Sequence, residues 1–346
     1  MILAAHLPRY PLAFLPTPLH PLPRLSETLC RELGLPASTP AERAVQMWIN
    51  RDDQTGLAGG GNKTRKLELL LADALAQGCD TLLTTGAVQS NHCRQTAAAA
   101  ARAGLACHLV LGGQPPAQAN GNFLLDRLLG AELHCTTREN RLNRLHALAD
   151  ELRAAGRRPY TITYGGSDPV GASGYALAME ELFDQARGQD LRVDAIVVAS
   201  SSGGTQAGMV AGARARGWDV PILGISIDEP KADLQAKVAD LATRTASHLD
   251  RADVFTPGEI RVNDSYLGAG YGIVGDLERE AVALMAQTEG ILLDPVYTGR
   301  AFGGLMDLLR TQPDTLAGPD RSGPTNVLFW HTGGQPALFA YAAELI

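Results

Sequence analysis

Lys63 stands at the end of a glycine run, in GLAGGGNKTRKLELL (56–70), with Thr64 behind it and leucines at helical spacing beyond. A lysine framed in this way has two chemistries open to it, phosphate binding in a nucleotide loop or imine formation with a carbonyl. The phosphate-loop pattern G-x-x-x-x-G-K-[ST] fails by one residue, because Asn62 separates Gly61 from Lys63. The segment ahead, VQMWINRDDQTG (45–56), runs into Arg51, Asp52 and Asp53 well before the glycines, so no buried strand feeds the loop directly. The nucleotide reading is set aside.

Four other stretches bear polar groups at the ends of apolar runs. SSGGTQAG (201–208) follows IVVAS and turns into a helix, where N–H groups of Gly203, Gly204 and Thr205 suit a single phosphate. GAVQSNHCRQ (86–95) puts Ser90 or Asn91 at a helix start, where free N–H groups suit a carboxylate, although Ser90 reads equally well as a plain N-cap. His92 and Cys93, taken alone, are ordinary helix residues. ILLDPVYTGRA (291–301) offers Tyr297 and Thr298, and NVLFWHTGGQPALFAY (326–341) offers Thr332, each just ahead of a helix. Together, a glycine-framed lysine, a monophosphate cup, a carboxylate-binding helix end and a hydroxyl at a strand end match the needs of pyridoxal phosphate: an imine partner, an anion site, a ring-nitrogen partner and a substrate clamp.

The elements that must position these groups follow from periodicity. Helical patterns cover 64–77, 90–103, 122–129 and 138–155, alternating with strand candidates at 81–85, 106–111, 131–135 and 160–164. A second series has strands at 194–200, 221–227, 291–294 and 326–331, with helices at about 205–216, 232–246, 276–289 and 299–310, and recruits 47–49 from the N-terminal part. The expectation is an α/β chain with two open parallel-sheet domains, the smaller inserted in the larger: 1–58 with 175–346 forming the large domain, and 59–174 the small one carrying Lys63 and the Ser90 loop. In such sheets ligands sit at the carboxyl ends of strands, where the stretches holding Ser90, Gly203, Tyr297 and Thr332 fall.

With 346 residues, 45% hydrophobic and 19% charged, the chain is long enough for a well-buried core. A net charge of -7 with no basic stripe argues against nucleic acid or an anionic membrane surface as partner. Five cysteines without C-x-x-C spacing point to neither a disulfide framework nor a zinc site, so no metal is expected and a reducing, cytoplasmic setting fits. The apolar N-terminus is broken by Pro8, Pro11, Pro16 and Pro18 and lacks the basic start of a secretory signal, and no run reaches membrane-span length.

In order and spacing, GGGNKTRKLE, GAVQSNHCRQTAAAAA, SSGGTQAG, GAGYG, LLDPVYTGRA and FWHTGGQPALFAY resemble the D-cysteine desulfhydrase and ACC deaminase family of fold type II, tryptophan synthase beta-like PLP enzymes over nearly the whole chain. The resemblance implies Lys63 as the Schiff-base lysine, Asn91 as partner of the cofactor's ring hydroxyl, Ser202, Gly203, Gly204 and Thr205 as the phosphate cup, and Thr332 as ring-nitrogen partner. Ser90 would hold the substrate carboxylate beside Asn91 and His92, and Tyr271 and Tyr297 would flank the reacting carbons, while Lys66, by its place one helical turn beyond Lys63, reads as a solvated or structural charge. The resemblance also implies a homodimer acting on a small amino acid. ACC deaminases typically carry DPVYEG and QSNQ where this chain has Thr298 and His92, departures that resemble the desulfhydrase branch and imply β-elimination on a 3-substituted alanine, D-cysteine first. L-cysteate sulfo-lyases resemble the same loops, and a catalytically silent PLP-binding protein is the reading from a different class.

Overall fold

The computed structural model describes residues 7–36, 44–316 and 323–346. Residues 1–6 of the apolar N-terminal stretch lie outside the described residues. The strands are β1 (Leu19–Pro21), β2 (Val45–Arg51), β3 (Thr81–Ala87), β4 (Ala106–Gly112), β5 (Glu132–Thr136), β6 (Pro159–Thr161), β7 (Ala195–Ser200), β8 (Ile222–Ser226), β9 (Arg261–Asn263) and β10 (Thr325–His331). The longer helices are α1 (Pro23–Glu32), α2 (Lys63–Ala76), α3 (Asn91–Ala103), α4 (Gly121–Leu128), α5 (Arg141–Ala154), α6 (Pro169–Gly188), α7 (Gly204–Ala215), α8 (Lys231–His248), α9 (Asp276–Glu289) and α10 (Thr298–Thr311).

Two sheets result, one ordered β1-β2-β10-β7-β8-β9 and the other β5-β4-β3-β6. All pairings are parallel except that of β1, which adds an antiparallel edge to β2. The near-continuous apolar runs of β7 and β10 are explained by burial on both faces. Val197, Val327 and Phe329 pack with α1, α9 and α10, while the alternate residues Val198, Leu328 and Trp330 pack with α6 and α7. In the smaller sheet, Leu82 and Leu109 meet Leu67, Leu70 and Leu71 of α2 and the alanine face of α3.

Two expectations need correction. The stretch 291–294 is no strand: Asp294 folds its side chain back onto the N–H groups of Val296, Tyr297 and Thr298, which makes the stretch an irregular approach to α10. α6 was not expected, and it runs unbroken through residue 174. Its Tyr175, Met179 and Leu182 pack against the larger sheet, so we propose that the smaller unit ends ahead of this helix, near its N-cap Asp168. Gly174 lets α6 lie against α2, since a Cβ there would come within 2.4 Å of Arg65 O. Among the described residues no helix is long and apolar enough to cross a membrane.

α2 is fastened to the larger sheet through Arg65, whose Nε donates to the fully buried Asp52 at 2.8 Å and whose Nη2 donates to Glu181 at 2.8 Å. Trp330 Nε1 (2.8 Å) and Tyr175 Oη donate to the same Asp52 carboxylate. Removing one partner of such a pair leaves a buried charge uncompensated. Arg65→Met is therefore expected to destabilise the protein by about 3–5 kcal/mol in urea unfolding, and a loss under about 1 kcal/mol would contradict this account.

Candidate active site

The glycine run solves a crowding problem. A Cβ on Gly60 would lie 1.9 Å from Asp53 O, and Gly60 and Gly61 have φ of +69° and +127°, so only glycine fits. The loop is pinned where Gly61 N donates to Asp52 O and Asn62 N donates to Thr332 O, both at 2.9 Å. Arg94 Nη2 donates to Gly60 O at 3.0 Å and ties the same loop to α3. Lys63, the first residue of α2, is thereby aimed into a cleft.

That cleft encloses about 620 Å³, part of it open to solvent, and is lined by Lys63, Ser90, Asn91, His92, Ser202, Gly203, Thr205, Tyr297 and Thr332 from the expected set. Asn62, Tyr164 and Gly165 join them. Gly204 opens α7 just behind the wall, and Tyr271 stands one step back, its hydroxyl 2.7 Å from that of Tyr297. The groups come from the carboxyl ends of β3, β6, β7 and β10 and the starts of α2, α3, α7 and α10.

Electrostatics set protonation here. Burial takes Lys63 from the ordinary 10.5 down to about 8, so its amine is largely free base at slightly alkaline pH. Lys66, one helical turn on, is not solvated: it is 1% exposed, and Nζ donates to Gly165 O at 3.1 Å and faces Ser167 Oγ at 3.4 Å. Burial, and next the Lys63 charge, hold its pKa well below normal. A Cβ on Gly204 would lie 2.8 Å from Lys66 Nζ, so this amine sits under the anion cup. Burial, then the charges of Lys63 and Lys66, push His92 well below its usual range and keep it neutral. Thr84 Oγ1 donates its proton to Ile162 O at 2.9 Å, so His92 Nε2, 2.9 Å from Thr84 Oγ1, must carry the ring N–H. His92 Nδ1 is then a bare acceptor.

Ser90 Oγ accepts from Cys93 N at 3.2 Å, so the cap reading holds for a residue that also lines the cleft. Asn91 Oδ1 accepts from Asn122 at 2.9 Å, which makes Nδ2 the group it offers to a ligand. Burial raises Tyr297 and Tyr271 well above the usual phenol range, keeping both protonated. Thr298 is absent from the cleft wall; its hydroxyl donates to Asp294 Oδ1 at 2.8 Å.

Residues 11–333 match the family described as pyridoxal-phosphate dependent enzyme. The chain belongs to that family. It is 42% identical over 344 residues to D-cysteine desulfhydrase of Klebsiella pneumoniae (strain 342), covering 98% of this chain and 97% of the relative. The D-cysteine desulfhydrase of Salmonella typhimurium is also 42% identical, over 345 residues, with 97% and 98% covered. A crystal structure of an ACC deaminase homologue superposes with a TM-score of 0.85 at 36% identity, covering 99% and 97% of the two chains. The processed form of threonine deaminase isoform 2 from Solanum lycopersicum, at 16% identity and TM-score 0.67 with 99% and 85% covered, shares the fold. The fold is therefore the type II arrangement of PLP enzymes, and pyridoxal phosphate is the cofactor.

The site fits that cofactor on its own geometry. α7 starts at a Gly203 cap of φ +81° with no side-chain cap of its own; Gly204 N donates to Ser167 Oγ at 3.2 Å, and the remaining N–H groups of the first turn face the cup. Ser200 Oγ and His92 Nδ1, both buried in the cleft wall, lack hydrogen-bond partners among the described residues. Asn62, Tyr164, Lys66 and Ser167 went unnoticed as site residues in the sequence. The only signal was local: Lys66 lies i+3 from Lys63 on one helix face, and YGGS (164–167) follows a strand end.

Two outcomes are expected. Reconstitution of cofactor-depleted protein should speed up about tenfold per pH unit and level off above about 8, since only the uncharged amine reacts; borohydride should then fix the label on Lys63. A rate still climbing at pH 10, or label on Lys66, would refute the assignment. Ser90→Gly should keep stability within a few tenths of a kcal/mol, whereas Ser90→Ala loses about 0.5–2 kcal/mol as a cap. Both should lose turnover alike if Ser90 binds substrate, and urea melts beside kcat/KM separate the two roles.

Proposed function

We propose that the chain catalyses β-elimination on D-cysteine, yielding pyruvate, hydrogen sulfide and ammonia. The observation that carries this reading is the meeting of Lys63, the Ser90–His92 helix start and the Tyr297–Tyr271 pair in one cleft. The full-length likeness to D-cysteine desulfhydrases supports the substrate. A homodimer, on the family resemblance, and a cytoplasmic setting, on five free cysteines, belong to the same reading.

When bound, pyridoxal phosphate supplies an aldehyde for the substrate amine and a ring that takes up the electrons left at Cα. Lys66 and N–H groups of the first turn of α7 would hold its phosphate, Asn91 Nδ2 would meet its ring hydroxyl, and Thr332 Oγ1 its ring nitrogen. Ser90 and the N–H groups opening α3 hold the substrate carboxylate, while His92 Nδ1 accepts a proton-bearing group of the substrate. Lys63 removes the Cα proton, a role worth roughly 10²- to 10⁴-fold in rate. The Cβ–S bond then breaks with its electron pair on sulfur, and Tyr297, backed by Tyr271, gives the departing thiolate its proton. Hydrolysis of the three-carbon remainder balances the reaction: D-cysteine and water give pyruvate, hydrogen sulfide and ammonia.

A neutral hydroxyl at the ring nitrogen does not enforce its protonation, so a bond to a good leaving group is the one that breaks. Because the Thr298 hydroxyl is engaged by Asp294, position 298 brings no group to the cleft that could strengthen the electron sink for opening a cyclopropane. L-cysteate is the second reading. Arg138 and Arg141 lie over the Tyr271 and Tyr164 rings, 5.4 and 4.7 Å from the centroids, and place cations near the cleft for a sulfonate.

Pyruvate release from D-cysteine, 3-chloro-D-alanine, L-cysteate and ACC decides among these. D-cysteine and 3-chloro-D-alanine should exceed ACC in kcat/KM by more than the roughly 10- to 200-fold that apolar fit alone provides. A preference for ACC would overturn the assignment. A preference for L-cysteate would keep the elimination and change its substrate, and bound cofactor with no turnover of any amino acid would leave a binding protein.

A further inference from the structure

We propose that His108, Glu132 and His134 form a binding site for one borderline divalent cation, zinc by its chemistry, on the outer strand pair of the smaller sheet. The register builds it. His108 on β4 is paired with Glu132 on β5, and Val110 with His134, so all three side chains rise from the same face of neighbouring parallel strands. His108 Nδ1 and His134 Nε2 are 3.1 Å apart, and the carboxylate presents one oxygen to each ring, at 3.5 Å from His108 Nδ1 and 3.4 Å from His134 Nε2. Ligand atoms about 2.0–2.1 Å from a tetrahedral zinc are about 3.3–3.4 Å from one another, so the three groups already have the spacing of a coordination sphere.

A hydrogen bond between the rings accounts for only part of this arrangement. One proton shared by His108 Nδ1 and His134 Nε2 joins the two imidazoles but leaves the carboxylate approaching both ring nitrogens without a donor between them. A cation at the centre satisfies all three lone pairs at once. Two imidazoles and a carboxylate suit zinc and its neighbours in the first transition row rather than calcium or magnesium, which prefer oxygen ligands. The histidine side chains are 13% and 17% exposed, and Glu132 is 65% exposed, so a metal has access from solvent to a pair of half-buried imidazoles. Arg144 and Glu151 of α5, close enough to act on His134, are ion-paired at 2.6 Å, so their charges largely cancel. A metal here would tie the edge strand β5 to β4.

The test uses holoenzyme treated with chelator, desalted, dialysed against zinc chloride and analysed for zinc, alongside thermal melts. Wild type should hold one zinc per chain at this site and gain at least about 2 °C in Tm with the metal. His108→Asn, His134→Asn and Glu132→Gln should each weaken binding at least about tenfold and abolish the Tm gain. Glu132→Gln, at the most exposed of the three positions, keeps the test valid if a histidine variant fails to fold. Cys135→Ser should bind as wild type does. The proposal is overturned if wild type retains no zinc, if the three variants bind equally well, or if only Cys135→Ser loses the metal.

Discussion

The buried Asp52 carboxylate is where the two sheets are held in relation to each other. It lies at the end of β2 in the larger sheet and accepts from Trp330 of β10 and Tyr175 of α6, which belong to the same body. Its third partner is Arg65 of α2, whose leucines are packed into the smaller sheet. α2 therefore has an apolar anchor in one unit and an ionic anchor in the other. A buried ion pair is a weak source of net stability, but it is directional, and a misplaced α2 would leave a charge unpaired. Lys63 stands two residues ahead of Arg65, so the ion pair also fixes the reach of the amine into the cleft.

Burying two lysines one helical turn apart is unfavourable unless something nearby is anionic. The Lys63 charge depresses the tendency of Lys66 to hold a proton, and His92 is driven neutral by burial and by both lysines. Among the described residues no carboxylate lines the cleft, and the Asp168 charge, which favours the charged form of Lys66, is outweighed by burial and by Lys63. What faces the two lysines is the start of α7, where Gly204 N donates to Ser167 Oγ at 3.2 Å, and a set of hydroxyls, Ser167 donating to Ser202 at 2.8 Å among them. The arrangement suits a dianionic phosphate beside Lys66, which relieves the repulsion there, while burial keeps Lys63 easy to deprotonate, at about 8.

Much of this was legible in the sequence, for reasons that differ by element. α2, α3 and α9 announce themselves through leucine or alanine periodicity, and Gly104 and Gly290 mark two of their ends in left-handed conformation. β7 and β10 are apolar without alternation because both faces are covered. The first turns of α6 carry no hydrophobic signal because Gly171, Ala172 and Gly174 are small residues that permit close helix packing, whereas the apolar spacing begins only with Tyr175, Met179 and Leu182. ILLD has the composition of a strand, yet the Asp294 side chain captures the following N–H groups and replaces ladder bonds with a turn. The buried state of Lys66 was invisible for a similar reason: its partner Gly165 O is ninety-nine positions away in the chain.

The residues of the site share one local property that explains why each looked ordinary alone. Lys63, Ser90, Asn91, Gly203, Thr205 and Tyr297 all stand at or within a residue or two of a helix start. A helix start needs a cap or a glycine for its own sake, so Ser90 bonds Cys93 N and Gly203 takes a left-handed turn whether or not anything binds. The same geometry leaves N–H groups and the positive end of the helix dipole directed at whatever lies beyond. With the helix starts of α2, α3, α7 and α10 converging on one cleft, their partial positive charges favour anions such as a phosphate and a carboxylate and disfavour an ammonium. Capping and catalysis are thus served by the same residues, and the chemistry becomes visible only when the two sheets bring these separate helix starts together.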